Sequence, residues 1–362
     1  MNGTFEQARD FFLAGLAHYQ AGRFAQAEVS LAASLALLPG RASTLTNLGA
    51  TRLKLGRPQD ALELLDEALA QEPDNLEALG HRAASLAELG RREDALDCLD
   101  RVLALDAGLG HAWSLRGSLL KEAGRKDEAI AAFGEALAHG ADPELNRYYL
   151  AGLQGGVTPA AAPRHYVEQL FDGYAGQFDA HLQALNYRVP AVLAQGLPHG
   201  RRFDAALDLG CGTGQCGPLL RPLTAALDGV DLSSNMLARA EELGMYRSLA
   251  QADVADHLAA TPERYDLVVA ADVFIYVGAL DAVFAGVVRV LRPGGMFCFS
   301  LEEAAEGHDL LLQPSLRYAH SEGYLRALAG QHGFAVAKLA RGTVREDQQV
   351  AIPGLFAWLE AT

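Results

Sequence analysis

The sequence predicts two parts of different fold class. The first is an all-α solenoid of repeated helix pairs. The second is an α/β domain on a doubly wound, mostly parallel sheet of seven strands that ends in a C-terminal antiparallel hairpin. Three observations carry this. Glycines recur at a fixed period through the first half. In the second half, apolar strand-length runs alternate with helix-length amphipathic segments. One of those runs ends in Leu207-Asp208-Leu209 and turns through Gly210, Gly212 and Gly214 into a helix pattern, which is how a parallel sheet presents a ligand loop.

At 362 residues, half of them apolar, the chain has length enough for two cores. It has no apolar run of membrane-spanning length, and its start lacks a signal-peptide pattern, so no membrane partner is expected. Cys98, Cys211, Cys216 and Cys298 have neither zinc nor redox spacing. The cytoplasm is the expected compartment. A net charge of −15, spread over both halves, repels phosphate backbones and argues against a nucleic-acid partner.

In the first half, Gly22, Gly56, Gly90 and Gly124 stand 34 positions apart, each followed by arginine. Ala27, Ala61, Ala95 and Ala129 follow at a constant offset, then Leu31, Leu65, Leu99 and Phe133. Small residues (Gly15, Gly49, Ala83, Gly117) precede each turn glycine at a fixed distance. Pro39 and Pro73 close the first two repeats, where the last two have Ala107 and Ala141. This pattern resembles the tetratricopeptide repeat. The resemblance implies four stacked helix pairs over about residues 6–141, with a concave face that docks a partner protein or a carrier. A spacer or a dimerisation arm is the alternative, so an oligomer is possible.

The stretch 155–163, Gly-Gly-Val-Thr-Pro-Ala-Ala-Ala-Pro, is dense in helix breakers and reads as a linker. The expected division is therefore repeats over 1–150, linker over 151–163 and α/β domain over 164–362. A helical stretch with Tyr166, Phe171, Tyr174 and Phe178 opens that domain, and core packing explains any single ring.

Strands are expected at 203–209, 226–231, 247–252, 265–272 and 295–301, with helices at 215–224, 233–243, 254–260 and 278–291. The loop after the first strand admits two readings. Acidic-x-Gly-x-Gly-x-Gly, from Asp208 to Gly214, resembles the first motif of the class I S-adenosylmethionine-dependent methyltransferases, which have a Rossmann-like fold. Gly212-x-Gly214-x-x-Gly217, with Asp231 further on, also satisfies the dinucleotide fingerprint. The tail separates them. A helix at 321–331 precedes two strand-like segments, 334–345 and 348–359, joined by so short a connection that they must pair antiparallel. Asp208 favours a cationic ligand over a bare pyrophosphate. Together with Asp253 at the end of the third strand, these features select the methyltransferase.

The resemblance implies S-adenosylmethionine as cofactor, leaving as S-adenosylhomocysteine. It implies that Asp208, Gly210, Cys211, Gly212 and Gly214 form the loop beside it, that Asp231 with Leu232 holds the ribose and that Met236 lies against adenine. Asp253 and Val254 would meet the adenine edge, and Ala270 to Asp272 would form the floor. Phe171-Asp172-Gly173-Tyr174-Ala175-Gly176-Gln177-Phe178-Asp179 resembles the lid of small-molecule methyltransferases, with Tyr166 and Tyr174 on the cofactor side. Methyl transfer is an in-line displacement, so alignment and exclusion of water are the main tasks. His320 and Tyr276 are the candidates should a base take part. No metal is expected.

Asn-Pro-Pro-Tyr, the signature of amine methylation on adenine or glutamine, is missing. Asp272-Val273-Phe274-Ile275-Tyr276 stands there and resembles enzymes of small carboxylic, phenolic or quinone-like acceptors. The expected function is methylation of a small-molecule or carrier-bound acceptor. The alternatives are methylation of a protein held by the repeats, or a cofactor-binding adaptor without turnover.

Overall fold

The computed structural model describes residues 2–347 and 350–362. The chain divides into two compact units, residues 1–150 and 151–362.

In the first unit the 34-residue pattern folds as helix pairs: Asn2–Gln20 with Phe24–Leu37, Ala42–Lys54 with Pro58–Gln71, Leu76–Glu88 with Arg92–Leu105, and Gly110–Glu122 with Lys126–Ala138. Gly22, Gly56, Gly90 and Gly124 have φ between +71° and +73°, which ends the first helix of each pair in a conformation that side chains resist. Two of the recurring positions are one contact seen from both sides. A Cβ at Gly15 would lie 2.6 Å from Leu31 Cγ, at Gly49 2.8 Å from Leu65 Cγ, and at Gly117 2.6 Å from Phe133 Cε1. The small residue is the gap that the buried Leu or Phe of the same repeat fills. A ninth helix, Pro143–Gln154, follows the four predicted pairs. Asp142 Oδ1 caps it by accepting the amides of Glu144 and Leu145, each at 3.0 Å.

Among the described residues the second unit has nine strands: β1 (Phe203–Leu209), β2 (Thr224–Asp231), β3 (Ser248–Gln251), β4 (Tyr265–Ala270), β5 (Leu291–Glu303), β6 (Leu310–Leu312), β7 (Tyr318–His320), β8 (Phe334–Asp347) and β9 (Val350–Ala361). They form one sheet in the order β3-β2-β1-β4-β5-β7-β6, with β9 pairing β5 and β8. The pairs β1–β2, β1–β4, β2–β3, β4–β5 and β5–β7 are parallel, whereas β5–β9, β6–β7 and β8–β9 are antiparallel. The expected seven strands are present, and β6 and β7 are additions. At three residues each, they are too short to show a period-2 pattern. They attach to the edge of β5 that β4 occupies up to Phe299, at Glu302 and Glu303, while β9 pairs the other edge as far as Glu302. Of the second hairpin strand expected at 348–359, Gln348 and Gln349 lie outside the described residues.

Two further expectations are corrected. The helix expected at 215–224 is the single turn Gly217–Leu220, because Pro222 has no amide to continue it and the chain enters β2 at Thr224. The stretch read as linker is partly built into the second unit. The Ala162 amide donates to Tyr276 O at 3.0 Å, and Ala160 O accepts the amides of Gly278 and Ala279. Its small residues allow this close approach: a Cβ at Gly278 would already sit 3.0 Å from Ala160 O.

Candidate functional site

A cavity of about 620 Å³ lies beyond the carboxyl ends of β1, β2, β3 and β4, within the size range of small-molecule sites. Gly210, Cys211, Gly212, Thr213 and Gln215 form one wall, and Asp231, Leu232, Met236, Asp253 and Val254 another. Ala271, Asp272, Val273 and Tyr276 follow β4, and Phe171, Tyr174, Phe178 and Tyr187 line the cavity as well.

Asp231 ends β2 and holds the glycine loop. Its Oδ2 accepts the Gly212 amide at 2.8 Å, and its Oδ1 accepts the Ser233 amide at 2.9 Å. Each oxygen keeps acceptor capacity for a ligand. Burial raises this carboxyl above its usual range, against the pull of those amides. The cap of the following helix comes from Ser233, whose Oγ accepts the Met236 amide. Asp253 is itself an N-cap: its Oδ1 accepts the amides of Ala255 at 2.8 Å and Asp256 at 3.3 Å.

The lid consists of the helices Arg164–Tyr174 and Phe178–Ala184. Val167, Leu170, Phe171 and Tyr174 line the cavity at the spacing of one helix face. Phe171 packs edge-on against Phe178 and Tyr276, at ring separations of 6.0 and 5.4 Å. Two carboxylates latch the lid to the loops beneath. Asp179 Oδ1 accepts Thr213 Oγ1 at 2.6 Å and Gln215 Nε2 at 2.9 Å. Asp172 Oδ1 accepts Ser233 Oγ at 2.5 Å and the Asn235 amide at 3.2 Å.

Several expected site residues stand elsewhere. Tyr166 does not line the cavity, because it precedes Val167 by about 100° of helix turn and leaves the lining face. Asp208 is 1% exposed and lies beneath the loop, its Oδ2 accepting the Tyr246 hydroxyl at 2.7 Å. Burial raises its carboxyl to about 7, with Asp231 pushing the same way and hydrogen bonds from Tyr246 and Cys216 opposing. It is not among the lining residues, so its carboxyl does not face the cavity. Gly214 also faces away: at φ +88°, its Cβ would lie 2.7 Å from Leu243 and 3.1 Å from the Tyr246 ring. Ala270 is fully buried in β4, and the floor begins at Ala271.

His320 is fully buried on β7, with Nε2 2.8 Å from Gly278 O. Burial pushes its imidazole down to about 4, and it is not among the lining residues. It serves the packing of β7 and not the cavity. Tyr276 does line the cavity, and burial raises its hydroxyl above the usual range, so it remains protonated. Cys211 and Cys216 line the loop wall as thiols, held well above their usual range by burial.

Sequence reasoning missed Arg345, which β8 carries to the cavity past an irregularity in its pairing with β9 between Thr343 and Arg345. It is 3% exposed and bonded to Asp272 Oδ2 at 2.8 Å and to Glu302. Arg317, Tyr187 and His181 also line the cavity unforeseen. Among the described residues no cluster of His, Cys, Asp and Glu could hold a metal ion, and no helix is long and apolar enough to cross a membrane.

Residues 207–299 match the methyltransferase-domain family profile, and residues 52–119 and 110–138 match tetratricopeptide-repeat profiles. The chain thus combines tetratricopeptide repeats with a methyltransferase domain. Malonyl-(acyl-carrier protein) O-methyltransferase of Geobacter sulfurreducens is 34% identical over 143 residues, 38% of this chain and 53% of that protein. Methyltransferase-like protein 27 of Homo sapiens is 30% identical over 155 residues, 40% of this chain and 60% of that protein. The chain thus spans little more than half the length of these curated relatives. The crystal structure of magnesium protoporphyrin IX methyltransferase from Synechocystis, with bound S-adenosylhomocysteine, is 17% identical. It covers 55% of this chain and 99% of that one, at a TM-score of 0.41.

Proposed function

We propose that this chain transfers a methyl group from S-adenosylmethionine to a small-molecule or carrier-bound acceptor, and that its repeats dock the carrier, a partner or a second copy. The observation that carries this reading is the cavity itself. Its loop wall, Asp231 and Asp253 suit the nucleoside end of the cofactor, and its tyrosines and Arg317 lie where an acceptor would enter.

The residues fit the group. Asp231 has free lone pairs for ribose hydroxyls beside the amides it already holds. Asp253 Oδ1 is engaged as a cap, so the adenine edge would meet Oδ2 and the Val254 backbone. Met236 would lie against the base, between Leu232 and the lid. The bound cofactor supplies a methyl group on a cationic sulfur, open to in-line displacement. The chain's own task is alignment and dryness. Phe171, Tyr174 and Phe178 exclude water from the reacting centre once Asp172 and Asp179 hold the lid shut. A protonated Tyr276, with Arg317 near it, orients an acceptor oxygen and does not remove its proton. No base is assigned to His320.

The name of the first relative, an O-methyltransferase of a malonyl group on its carrier protein, favours an oxygen acceptor of that kind. The test is conversion of S-adenosylmethionine to S-adenosylhomocysteine by the full chain with a panel of free and carrier-bound acids and phenols. Acceptor-dependent product supports the reading. Cofactor binding without turnover on any acceptor would favour an adaptor.

A further inference from the structure

Arg317 reaches the cavity from a rigidly held turn between β6 and β7, the two short strands added to the sheet. The Gln313 amide donates to Arg317 O at 2.9 Å and closes that turn. Inside it the Leu316 amide donates to Gln313 O at 2.8 Å, and Leu316 takes φ +63°. A residue with a side chain resists this left-handed conformation, which persists only where the surroundings fix it and recurs at ligand sites. Here burial fixes it. Leu316 is 2% exposed, and a Cβ at Gly152 would lie 2.9 Å from its Cδ2. Gln313 Nε2 donates to Glu302 Oε2 at 2.7 Å and anchors the turn to β5.

The charged groups that line the cavity have different neighbours. Asp231 and Asp253 lie by the ends of β2 and β3, on the side given to the nucleoside. Asp272 is bonded to Arg345 at 2.8 Å, and Arg345 is bonded to Glu302 as well. Arg164 meets Asp256 at 3.3 Å in an exposed pair. Arg317 is half-buried beside two phenols. Burial raises the hydroxyls of Tyr174 and Tyr276, and the Arg317 guanidinium pulls both the other way. His181, exposed, packs edge-on against Tyr174 at 5.4 Å.

We propose that Arg317, with the Tyr174 and Tyr276 hydroxyls, holds the carboxylate of an acidic acceptor and selects that class over neutral phenols and alcohols. A guanidinium with two protonated phenols gathers donors around one positive charge, the complement of a carboxylate. Val167, Leu170, Leu182 and Leu185 line the same cavity and suit the apolar body of such an acid. The chemistry agrees. A carboxylate is ionised at neutral pH, so no base is needed, whereas a phenol or alcohol must lose a proton that a protonated Tyr276 cannot take. A carboxylate oxygen lone pair forms the new bond to the methyl carbon, the sulfur–carbon bond breaks, and its electrons return to sulfur. No proton moves. This assignment deepens the proposed function and rests on it.

The test is S-adenosylhomocysteine formation by the full chain with malonyl-pantetheine, glutaryl-pantetheine and benzoate, with the primary amide of each, and with catechol. Turnover is expected on a carboxylate and about tenfold less or none on its amide, the scale of a lost charge-assisted bond. Arg317→Met keeps the stem and removes the charge. It should lower kcat/KM on the preferred carboxylate about tenfold or more while leaving S-adenosylhomocysteine affinity, read by calorimetry, within about twofold. Arg317→Lys keeps the charge without the fork. It should show the same selective loss to a smaller extent, and it carries the test alone if Arg317→Met does not fold. Preference for catechol over every carboxylate, unchanged kcat/KM, or an equal loss of S-adenosylhomocysteine affinity would overturn the assignment and leave the transferase standing. Turnover on none of the probes would overturn the proposed function and the assignment together.

Discussion

Asp231 is the side chain on which cofactor binding should depend most, and Asp231→Asn measures it. In the ligand-free protein each carboxylate oxygen accepts one amide, Gly212 at 2.8 Å and Ser233 at 2.9 Å. A ribose would use the remaining lone pairs as charge-assisted bonds, worth roughly 1.5–3 kcal/mol. Asparagine is nearly isosteric, but it loses the charge and turns a donor toward one of those amides. S-Adenosylhomocysteine should therefore bind about 10- to 150-fold more weakly. Titration calorimetry reads that loss. A thermal melt of the free variant reads the separate cost of the misaligned amide, which should appear without ligand. Affinity within about twofold of the parent, in a variant whose melt is lowered, would refute the reasoning. Asp231 would then only brace the loop.

Three further outcomes are expected. Asp208 has its carboxyl raised to about 7 by burial, from an ordinary value of 3.8. The folded state therefore holds this proton more tightly, its stabilisation is complete below about pH 4, and it is lost as pH rises through 7. About three pH units correspond to the order of 4 kcal/mol, so Asp208→Asn should flatten the fall of Tm between pH 5 and 8, and parallel curves would contradict this. Asp179→Ala removes the acceptor of Thr213 and Gln215, and should speed cofactor release about tenfold in stopped-flow displacement. An unchanged rate would mean that the lid is not latched there. His320→Gln should lower Tm but leave the pH profile of turnover unshifted, since His320 is outside the cavity and titrates near 4. Loss of an inflection between pH 6 and 8 would restore it as a participant.

What the sequence revealed follows from where local rules suffice. The repeats are legible because a left-handed turn and a close helix crossing each demand a small residue, so Gly22 and Gly15 and their counterparts recur. The alternating strands and helices are legible because each buries one periodic face. The Asp208 to Gly214 loop is visible as a motif, yet its residues divide between ligand and packing. Gly212 and Cys211 line the cavity, while Gly214 and Asp208 face Tyr246. That division depends on Tyr246, which lies beyond the next helix, and no local pattern announces it. Arg345 was illegible for a related reason. Its position is set by the register of a hairpin and by a pairing irregularity, and a slip of one residue would face it the other way. His320 stands before a helix in sequence, but it belongs to a three-residue strand whose pairing with β5 buries it.

The most direct measurement is a crystal structure of the full chain with S-adenosylhomocysteine. It should show the product in the cavity beyond β1, β2 and β4, its ribose hydroxyls within hydrogen-bonding distance of Asp231. Density outside that cavity, or a ribose held by other residues with Asp231 still occupied only by the Gly212 and Ser233 amides, would contradict the assignment of this site.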